Sequence, residues 1–284
     1  MRFLFRCRVC PTLGQRDQPC RSSCHLLGKV MAHFTSDGLD LAYDEFGPAD
    51  GRKAIVLVHG FSANRTENWK RMGWYDAIAA KGLRGFALDN RGHGESAKPH
   101  DPALYDREAM ARDVFALMDH AGVERAHVLG FSMGSHIALT AALLDPGRID
   151  HLVVAGVGAT LFDPPREEGA MAAAMEAANP DEIADPMLKS FRHFADEQKE
   201  DRLALAACSR GPRLPLTRGS LMAIRRPTLV VAGARDQLAG PPQGLAAAIP
   251  GAKAVTLPGC DHFSCIGHPM FKATVFDFFD GWLE

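Results

Sequence analysis

Long uninterrupted apolar runs are missing from this sequence of 284 residues. A helix needs about 18 consecutive apolar residues to cross a bilayer, and no stretch of the chain has them. The apolar patch from Met1 to Phe5 is also too short for the hydrophobic segment of a secretory signal. The sequence therefore predicts a protein without a membrane span.

A large excess of charge of either sign is missing as well. The formal net charge is −2, the isoelectric point is about 6.6, and the body of the chain has no long basic run. This balance excludes the basic surface by which proteins bind nucleic acids or anionic membranes. The chain also has no phosphate-cradling glycine loop and no acidic and histidine cluster with metal-ligand spacing. We therefore predict no cofactor, no metal and a small-molecule partner, and the oligomeric state stays open.

Cysteines are scarce except at the beginning of the chain. Four of the seven lie within residues 1–30, which also carry six basic residues, one acid and no apolar period. An odd total without a secretory signal favours reduced thiols in a cytoplasmic compartment. We interpret residues 1–30 as a disordered tail, with translation beginning at Met31. Two alternatives are an arginine-rich transit segment and a zinc site. The candidate zinc ligands are Cys7, Cys10, Cys20, Cys24 and His25.

The patterning of residues 31–284 predicts a single α/β domain. The composition is 46% hydrophobic, and short apolar strands alternate with amphipathic helices. This alternation is typical of a mostly parallel sheet with helices on both faces. Asp37 and Gly38 predict a hairpin turn between the first two strands. The strand pattern stops from about 158 to 224, a helical segment that prolines interrupt, and a closing helix over 269–283 is expected to bury Trp282.

The stretch from His127 to Asp145 carries the strongest local signal. An apolar strand enters the sequence Gly130-Phe131-Ser132-Met133-Gly134 and continues directly into an apolar helix. A G-x-S-x-G sequence in this context predicts a nucleophile elbow, in which the sharp turn strains Ser132 and the glycines avoid collisions. The helix beginning there would favour negative charge nearby. A plain loop serine between two glycines, the alternative, does not explain the flanking strand and helix.

Two further loops follow predicted strands. His59-Gly60-Phe61 comes after the strand 54–58, and the sequence DNRGHGES over 89–96 comes after the strand 85–88. Together with the elbow, these motifs make residues 34–284 resemble the α/β-hydrolase superfamily. The resemblance implies a sheet of about eight strands and a helical lid formed by residues 158–224. We interpret His59 and the DNRGHGES turn as structural, without a direct chemical role.

The resemblance also implies a catalytic triad. Its chain order, nucleophile then acid then base, selects Ser132, Asp236 and His262. Serine at the elbow argues against relatives that use aspartate there to open epoxides or haloalkanes. Gly60 would let the N–H of Phe61 approach the substrate, and the N–H groups of Phe61 and Met133 would form the oxyanion hole.

Two other carboxylates compete with Asp236 for the position of the acid. Asp261 is adjacent to the predicted base, and neighbouring side chains in an extended loop point apart. Asp163 follows the strand after the elbow, but it stands at the entrance of the predicted lid. Asp236 lies in a tight turn that directly follows a sheet strand, which would hold it more rigidly.

The predicted lid supplies candidate substrate-binding residues. Its larger apolar side chains could line an acyl pocket, or they could only hold the lid to the core. These are Phe162, Met171, Met175, Phe191 and Phe194.

These features together predict a serine hydrolase that forms an acyl-enzyme and acts on carboxylic esters with small or medium acyl chains. One alternative is a hydrolase that cleaves a carbon–carbon bond of a diketone with the same triad. A second is a non-catalytic ligand receptor on the same fold. A third is a zinc-dependent interaction module at residues 1–30.

Overall fold

The computed structural model describes residues 31–51, 53–164 and 169–283. Residues 1–30 lie outside the described residues, and with them lie the predicted tail, the alternative transit segment and the candidate zinc ligands Cys7, Cys10, Cys20, Cys24 and His25. In the part of the chain that is described, no helix is long and apolar enough to cross a membrane.

An eight-stranded sheet forms the centre of the fold, with strand order β1-β2-β4-β3-β5-β6-β7-β8. Strand β2 runs antiparallel to both of its neighbours, and the pairs from β4 to β8 are parallel. The predicted mostly parallel sheet is therefore confirmed. The strands are β1 Met31–Ser36, β2 Leu39–Phe46, β3 Ala54–Val58, β4 Arg84–Leu88, β5 Ala126–Phe131, β6 Ile149–Ala155, β7 Thr228–Gly233 and β8 Lys253–Leu257.

The hairpin between β1 and β2 turns at Asp37 and Gly38. Both residues have positive φ, 47° and 75°, and Ser36 pairs with Leu39 across the turn. Two consecutive positive φ angles match the right-handed twist of the strands, and aspartate followed by glycine adopts them at low cost. This hairpin has the position that the sequence predicted.

Helices cover both faces of the sheet, which explains why the central strands are apolar without alternation. The α-helices are α1 Trp74–Ala80, α2 Arg107–His120, α3 Met133–Leu144, α4 Ala170–Glu176, α5 Pro186–Glu197, α6 Arg202–Arg210, α7 Arg218–Leu221, α8 Pro242–Ala246, α9 His262–Cys265 and α10 Pro269–Phe279. In β3, Val56 and Val58 belong to one buried cluster with α2, α3 and α8, while Ile55 and Leu57 belong to a second cluster with α1 and α10.

An insertion between β6 and β7 contains α4 to α7. Its described residues contain no strand, as the sequence predicted for 158–224. The first three of these helices share a small apolar cluster of their own, separate from the two clusters beside the sheet. Glu200, between α5 and α6, connects the insertion to the main domain, since its carboxylate accepts hydrogen bonds from Asn64 Nδ2 at 3.0 Å and from Gly94 N–H at 2.8 Å.

The end of α10 differs from the prediction. The helix ends at Phe279 because Gly281 has a φ of 78° and closes a Schellman motif. The N–H of Gly281 donates to the carbonyl oxygen of Phe278 at 3.2 Å, and the N–H of Trp282 donates to the carbonyl oxygen of Asp277 at 2.8 Å. Trp282 is consequently 77% exposed, so the prediction that it is buried was wrong.

Candidate active site

Ser132 occupies the sharp turn between β5 and α3. Its φ and ψ angles are 52° and −116°, a strained conformation for a residue with a side chain. A Cβ atom on Gly130 would collide with the carbonyl oxygen of Gly134, and one on Gly134 would collide with that of Val58. The N–H of Ser132 donates to the carbonyl oxygen of Ala155 at 2.7 Å, so the neighbouring strands hold the strained turn in place.

A chain of hydrogen bonds connects Ser132 with two buried side chains. His262 Nε2 lies 3.0 Å from Ser132 Oγ, and His262 Nδ1 lies 2.9 Å from Asp236 Oδ2. The second oxygen of Asp236, Oδ1, accepts hydrogen bonds from the N–H groups of Leu238 at 3.0 Å and Ala239 at 2.9 Å. The fold thus brings together the three side chains that the sequence selected.

His262 is the first residue of the short helix α9, where the sequence predicted a loop. Asp261 precedes the helix and forms a capping box with Ser264, whose N–H lies 2.9 Å from Asp261 Oδ1. This cap occupies the Asp261 carboxylate. Asp163, the other candidate acid, is exposed after the turn over Ala159–Phe162.

The loop after β3 is held by buried polar side chains. Gly60 N–H donates to Asn68 Oδ1 at 2.8 Å, and His59 Nδ1 lies 2.8 Å from the carbonyl oxygen of Gly60. Asn90, from the DNRGHGES turn, donates its N–H to His59 Nε2 at 2.9 Å. Burial lowers the pKa of His59 to about 4. The ring is therefore neutral near pH 7, with Nδ1–H as the donor and Nε2 as the acceptor.

Two backbone N–H groups near Ser132 have no hydrogen-bond partner within the described ranges. They belong to Phe61, which follows Gly60, and to Met133, the first residue of α3. Gly60 itself lies against Ser132, because a Cβ atom there would approach the Cβ of Ser132 to 3.3 Å. These N–H groups are available to stabilise negative charge on an oxygen beside Ser132.

Three adjoining cavities meet at Ser132, and Phe191 of the insertion lines all of them. Met171 lines two of these cavities and Phe194 lines the third. Met175 and Phe162 line none of the three, so the expectation that they contact substrate is not supported. Met175 is fully buried in the apolar cluster of the insertion, and the Phe162 ring packs beneath the guanidinium of Arg218 at 4.0 Å.

Part of the cavity wall that the sequence did not predict is polar. Arg107, His136 and Arg213 line the same cavity as Ser132. His136 Nδ1 lies 3.1 Å from the carbonyl oxygen of Ser132, and burial together with nearby Arg107 lowers the pKa of His136 to about 3. The position of His136, one helical turn after Ser132, was readable from the sequence. Arg107 and Arg213 are far apart in the chain and gave no such signal.

A family model described as the alpha/beta hydrolase fold matches residues 53–214, more than half of the chain. The chain belongs to the α/β hydrolase fold family. The structural resemblance inferred from the three strand-end motifs is thereby confirmed.

Several known proteins are similar to this chain over most of its length. The dihydrolipoyllysine-residue acetyltransferase component of the acetoin cleaving system of Pseudomonas putida is 33% identical over 78% of the chain, which spans 61% of that relative. The 3-oxoadipate enol-lactonase 2 of Acinetobacter baylyi is 29% identical over 72% of the chain and 78% of its own length. The crystal structure of the enol-lactonase from Burkholderia xenovorans LB400 matches with a TM-score of 0.74 and 26% identity, covering 88% of this chain and 100% of that one.

Among the residues that the structure describes, no group of three or more histidine, cysteine, aspartate or glutamate side chains is arranged to hold a metal ion. The three described cysteines, Cys208, Cys260 and Cys265, are all buried and free. Cys208 lines the cavity beside Ser132, and burial raises the pKa of its thiol to about 12, which keeps it protonated near pH 7.

Proposed function

We propose that this α/β hydrolase is a serine hydrolase that cleaves carboxylic esters, including cyclic ones, with small or medium acyl chains. Ser132 is the nucleophile, His262 the general base and Asp236 the acid that orients it. The observation that carries the proposal is the hydrogen-bonded chain from Ser132 Oγ through His262 to Asp236, at the point where three cavities meet.

In the first half of the reaction, Ser132 Oγ attacks the ester carbonyl carbon while its proton moves to His262 Nε2. The negative oxygen of the tetrahedral intermediate accepts hydrogen bonds from the N–H groups of Phe61 and Met133. The bond from carbon to the leaving oxygen then breaks, and the leaving alcohol takes the proton from His262. The product is an acyl group bound to Ser132 Oγ.

In the second half, water attacks the acyl carbon and gives a proton to His262 Nε2. The bond to Ser132 Oγ breaks, the serine regains its proton, and the carboxylic acid leaves. Asp236 accepts the hydrogen bond from His262 Nδ1–H and stabilises the imidazolium in both halves. The insertion, through Phe191, Met171 and Phe194, acts as a lid that forms one wall of the site.

An active-site-directed fluorophosphonate tests the proposal. The reagent should label the unmodified protein at Ser132, whereas Ser132→Ala should not be labelled and should lose roughly 10⁴-fold or more of its turnover of p-nitrophenyl butyrate. Ser190→Ala is a matched control, because Ser190 is exposed on α5 and its hydroxyl donates to the carbonyl oxygen of Pro186 in the same helix. Absence of labelling would favour a non-catalytic receptor. Faster cleavage of a vinylogous diketone than of every ester tried would favour the carbon–carbon hydrolase.

A further inference from the structure

Two arginines share the cavity beside Ser132. Arg107 is the first residue of α2, and Arg213 follows α6 in the insertion. Arg213 also lines the adjoining cavity that contains Ser132 and His262. We call the cavity that both arginines line, together with Ser132 and His136, the arginine cavity. Its volume is about 250 Å³.

In the ranges that the structure covers, no carboxylate lies within 4.0 Å of Arg107 or Arg213. Arg107 Nη1 donates to the carbonyl oxygen of Leu214 at 3.0 Å, and Arg213 Nη2 donates to those of Cys208 and Ser209 at 2.9 and 3.0 Å. A guanidinium has five N–H donors, so most of the donors on each arginine remain available.

The charges in the arginine cavity are not offset by its other walls. Burial and the nearby charge of Arg213 lower the pKa of Arg107 to about 10, whereas Asp106 acts in the opposite direction, so Arg107 remains cationic near pH 7. His136 is neutral there, and none of the described residues that line the cavity is acidic. Two neighbouring cations repel each other, and a bound anion would offset that repulsion.

The backbone holds the two arginines in fixed positions relative to each other. The N–H of Arg107 donates to the carbonyl oxygen of Pro212 at 3.2 Å, directly before Arg213. Gly211 lies so close to Tyr105 that a Cβ atom on the glycine would collide with the tyrosine carbonyl oxygen. The segment that follows α6 is therefore packed against the residues that precede α2, and the cationic pair is built before a ligand arrives.

Part of the wall of the arginine cavity is apolar. It is formed by side chains that suit methylene groups, and they come from α2, α3 and the insertion. These are Met110, Met133, Ile137 and Met171.

We propose that the arginine cavity binds the distal carboxylate of the acyl chain, so that the substrate is a half-ester or a lactone of a dicarboxylic acid. This proposal rests on the proposed function, because the acyl carbon must lie at Ser132. The methylene chain passes along the apolar wall, and the two carboxylate oxygens match the paired N–H groups of a guanidinium. The two arginines carry two positive charges, so one bound carboxylate leaves no net negative charge in the arginine cavity.

Matched substrates test the proposal by activity. For the monoethyl esters of glutaric, adipic and pimelic acid, kcat/KM at pH 7.5 should exceed that of ethyl pentanoate, ethyl hexanoate and ethyl heptanoate. In Arg107→Gln or Arg213→Gln, the ratio of charged to neutral ester should fall about 10- to 100-fold, mainly through KM, since hydrogen bonds to charged groups contribute that much. Arg112→Gln is the control, because Arg112 lies on the same helix outside the cavity. An unchanged ratio in both arginine variants would overturn the proposal.

A binding measurement separates this proposal from the proposed function. Adipate should bind to Ser132→Ala in calorimetry, adipamide should not, and the additional Arg107→Gln and Arg213→Gln changes should abolish adipate binding. If adipate binds through the arginines but no ester is hydrolysed, the proposed function fails and the anion site stands. If neutral esters are hydrolysed through Ser132 and adipate does not bind, the anion site fails and the proposed function stands.

Discussion

The carboxylate of Asp236 divides its two oxygens between His262 and the backbone of its own turn. Oδ2 lies 2.9 Å from His262 Nδ1, while Oδ1 accepts from Leu238 N–H at 3.0 Å and Ala239 N–H at 2.9 Å. The two backbone bonds fix the plane of the carboxylate, and only one oxygen is directed to the imidazole. His262 can therefore present Nε2 to Ser132 in one orientation.

We predict that Asp236→Asn lowers kcat for p-nitrophenyl butyrate by about 10²- to 10⁴-fold, because an amide favours the wrong tautomer of His262 and cannot balance its charge. Folding should survive, since the asparagine oxygen can still accept the backbone N–H groups. Circular dichroism and steady-state kinetics check both statements.

Asp163→Asn is the matched comparison, because Asp163 is exposed and was the competing candidate. Its kcat should stay within about twofold of the unmodified protein, as for most surface substitutions. If Asp163→Asn is the damaging change and Asp236→Asn is nearly silent, the acid has been assigned to the wrong residue.

Gly134→Ala should destabilise the fold at the elbow. The added Cβ would meet the backbone carbonyl oxygen of Val58, which cannot move without disturbing β3. Overpacking of this kind costs about 1–3 kcal/mol of unfolding free energy, measurable by urea denaturation. Gly219→Ala in α7 is the control, because its Cβ would meet nothing closer than Thr217 Oγ1 at 3.7 Å. Equal stability of the two variants would show that the close approach at Gly134 is not a constraint.

The features that the sequence predicted correctly are those that depend on neighbouring residues. The apolar run 54–58 matches β3, the Asp37-Gly38 pair forms the hairpin, and the G-x-S-x-G sequence gives Ser132 its positive φ. Each depends on a steric rule that acts over a few residues, such as the positive φ of a tight turn. The parallel sheet follows from the alternation of strands with helices.

The features that the sequence did not predict depend on contacts between distant segments. Arg107 and Arg213 meet only because the segment after α6 packs against the start of α2. Met175 was predicted to line the acyl pocket, but it lies in the small apolar cluster of the insertion. Which of these two places an apolar side chain faces depends on how α4 packs. The exposure of Trp282 follows from a local motif, the Schellman turn at Gly281. This glycine is visible in the sequence, but the apolar period over 269–283 favoured a helix that continues past it.

A chain that begins at Met31 should fold and hydrolyse esters like the full chain. Strand β1 begins at Met31, which pairs with Asp44, so every strand of the sheet remains. The melting temperature should change by less than about 4 °C, the shift expected for roughly 1 kcal/mol. A chain that begins at Leu39 is the control. It lacks β1 and the buried Phe34, and should melt well below both. A large drop for the Met31 chain would show that residues 1–30 are structural.

Buried neutral histidines should make the protein sensitive to acid, and His127 offers the clearest test. This side chain is 1% exposed on β5, and its ring stacks on Phe279 at 4.2 Å and 14°. Burial, and to a smaller extent nearby His151 and Lys53, lower its pKa to about 4, whereas Asp150 acts in the opposite direction. The folded protein therefore leaves His127 unprotonated at pH values where the unfolded chain, with a histidine pKa of about 6.5, binds a proton.

The sign of the pH dependence follows from this difference. The contribution of His127 to stability is fully present above about pH 6.5, and it is lost as the pH falls toward 4, by up to about 1.4 kcal/mol per pH unit. We predict that His127→Phe, which keeps the stacked ring, reduces the slope of unfolding free energy against pH between pH 6 and 4.5 by up to that amount. Above pH 7 the curves of the variant and the unmodified protein should run parallel. Urea unfolding at a series of pH values measures both slopes, and identical slopes below pH 6 would mean that His127 takes up its proton in the folded state.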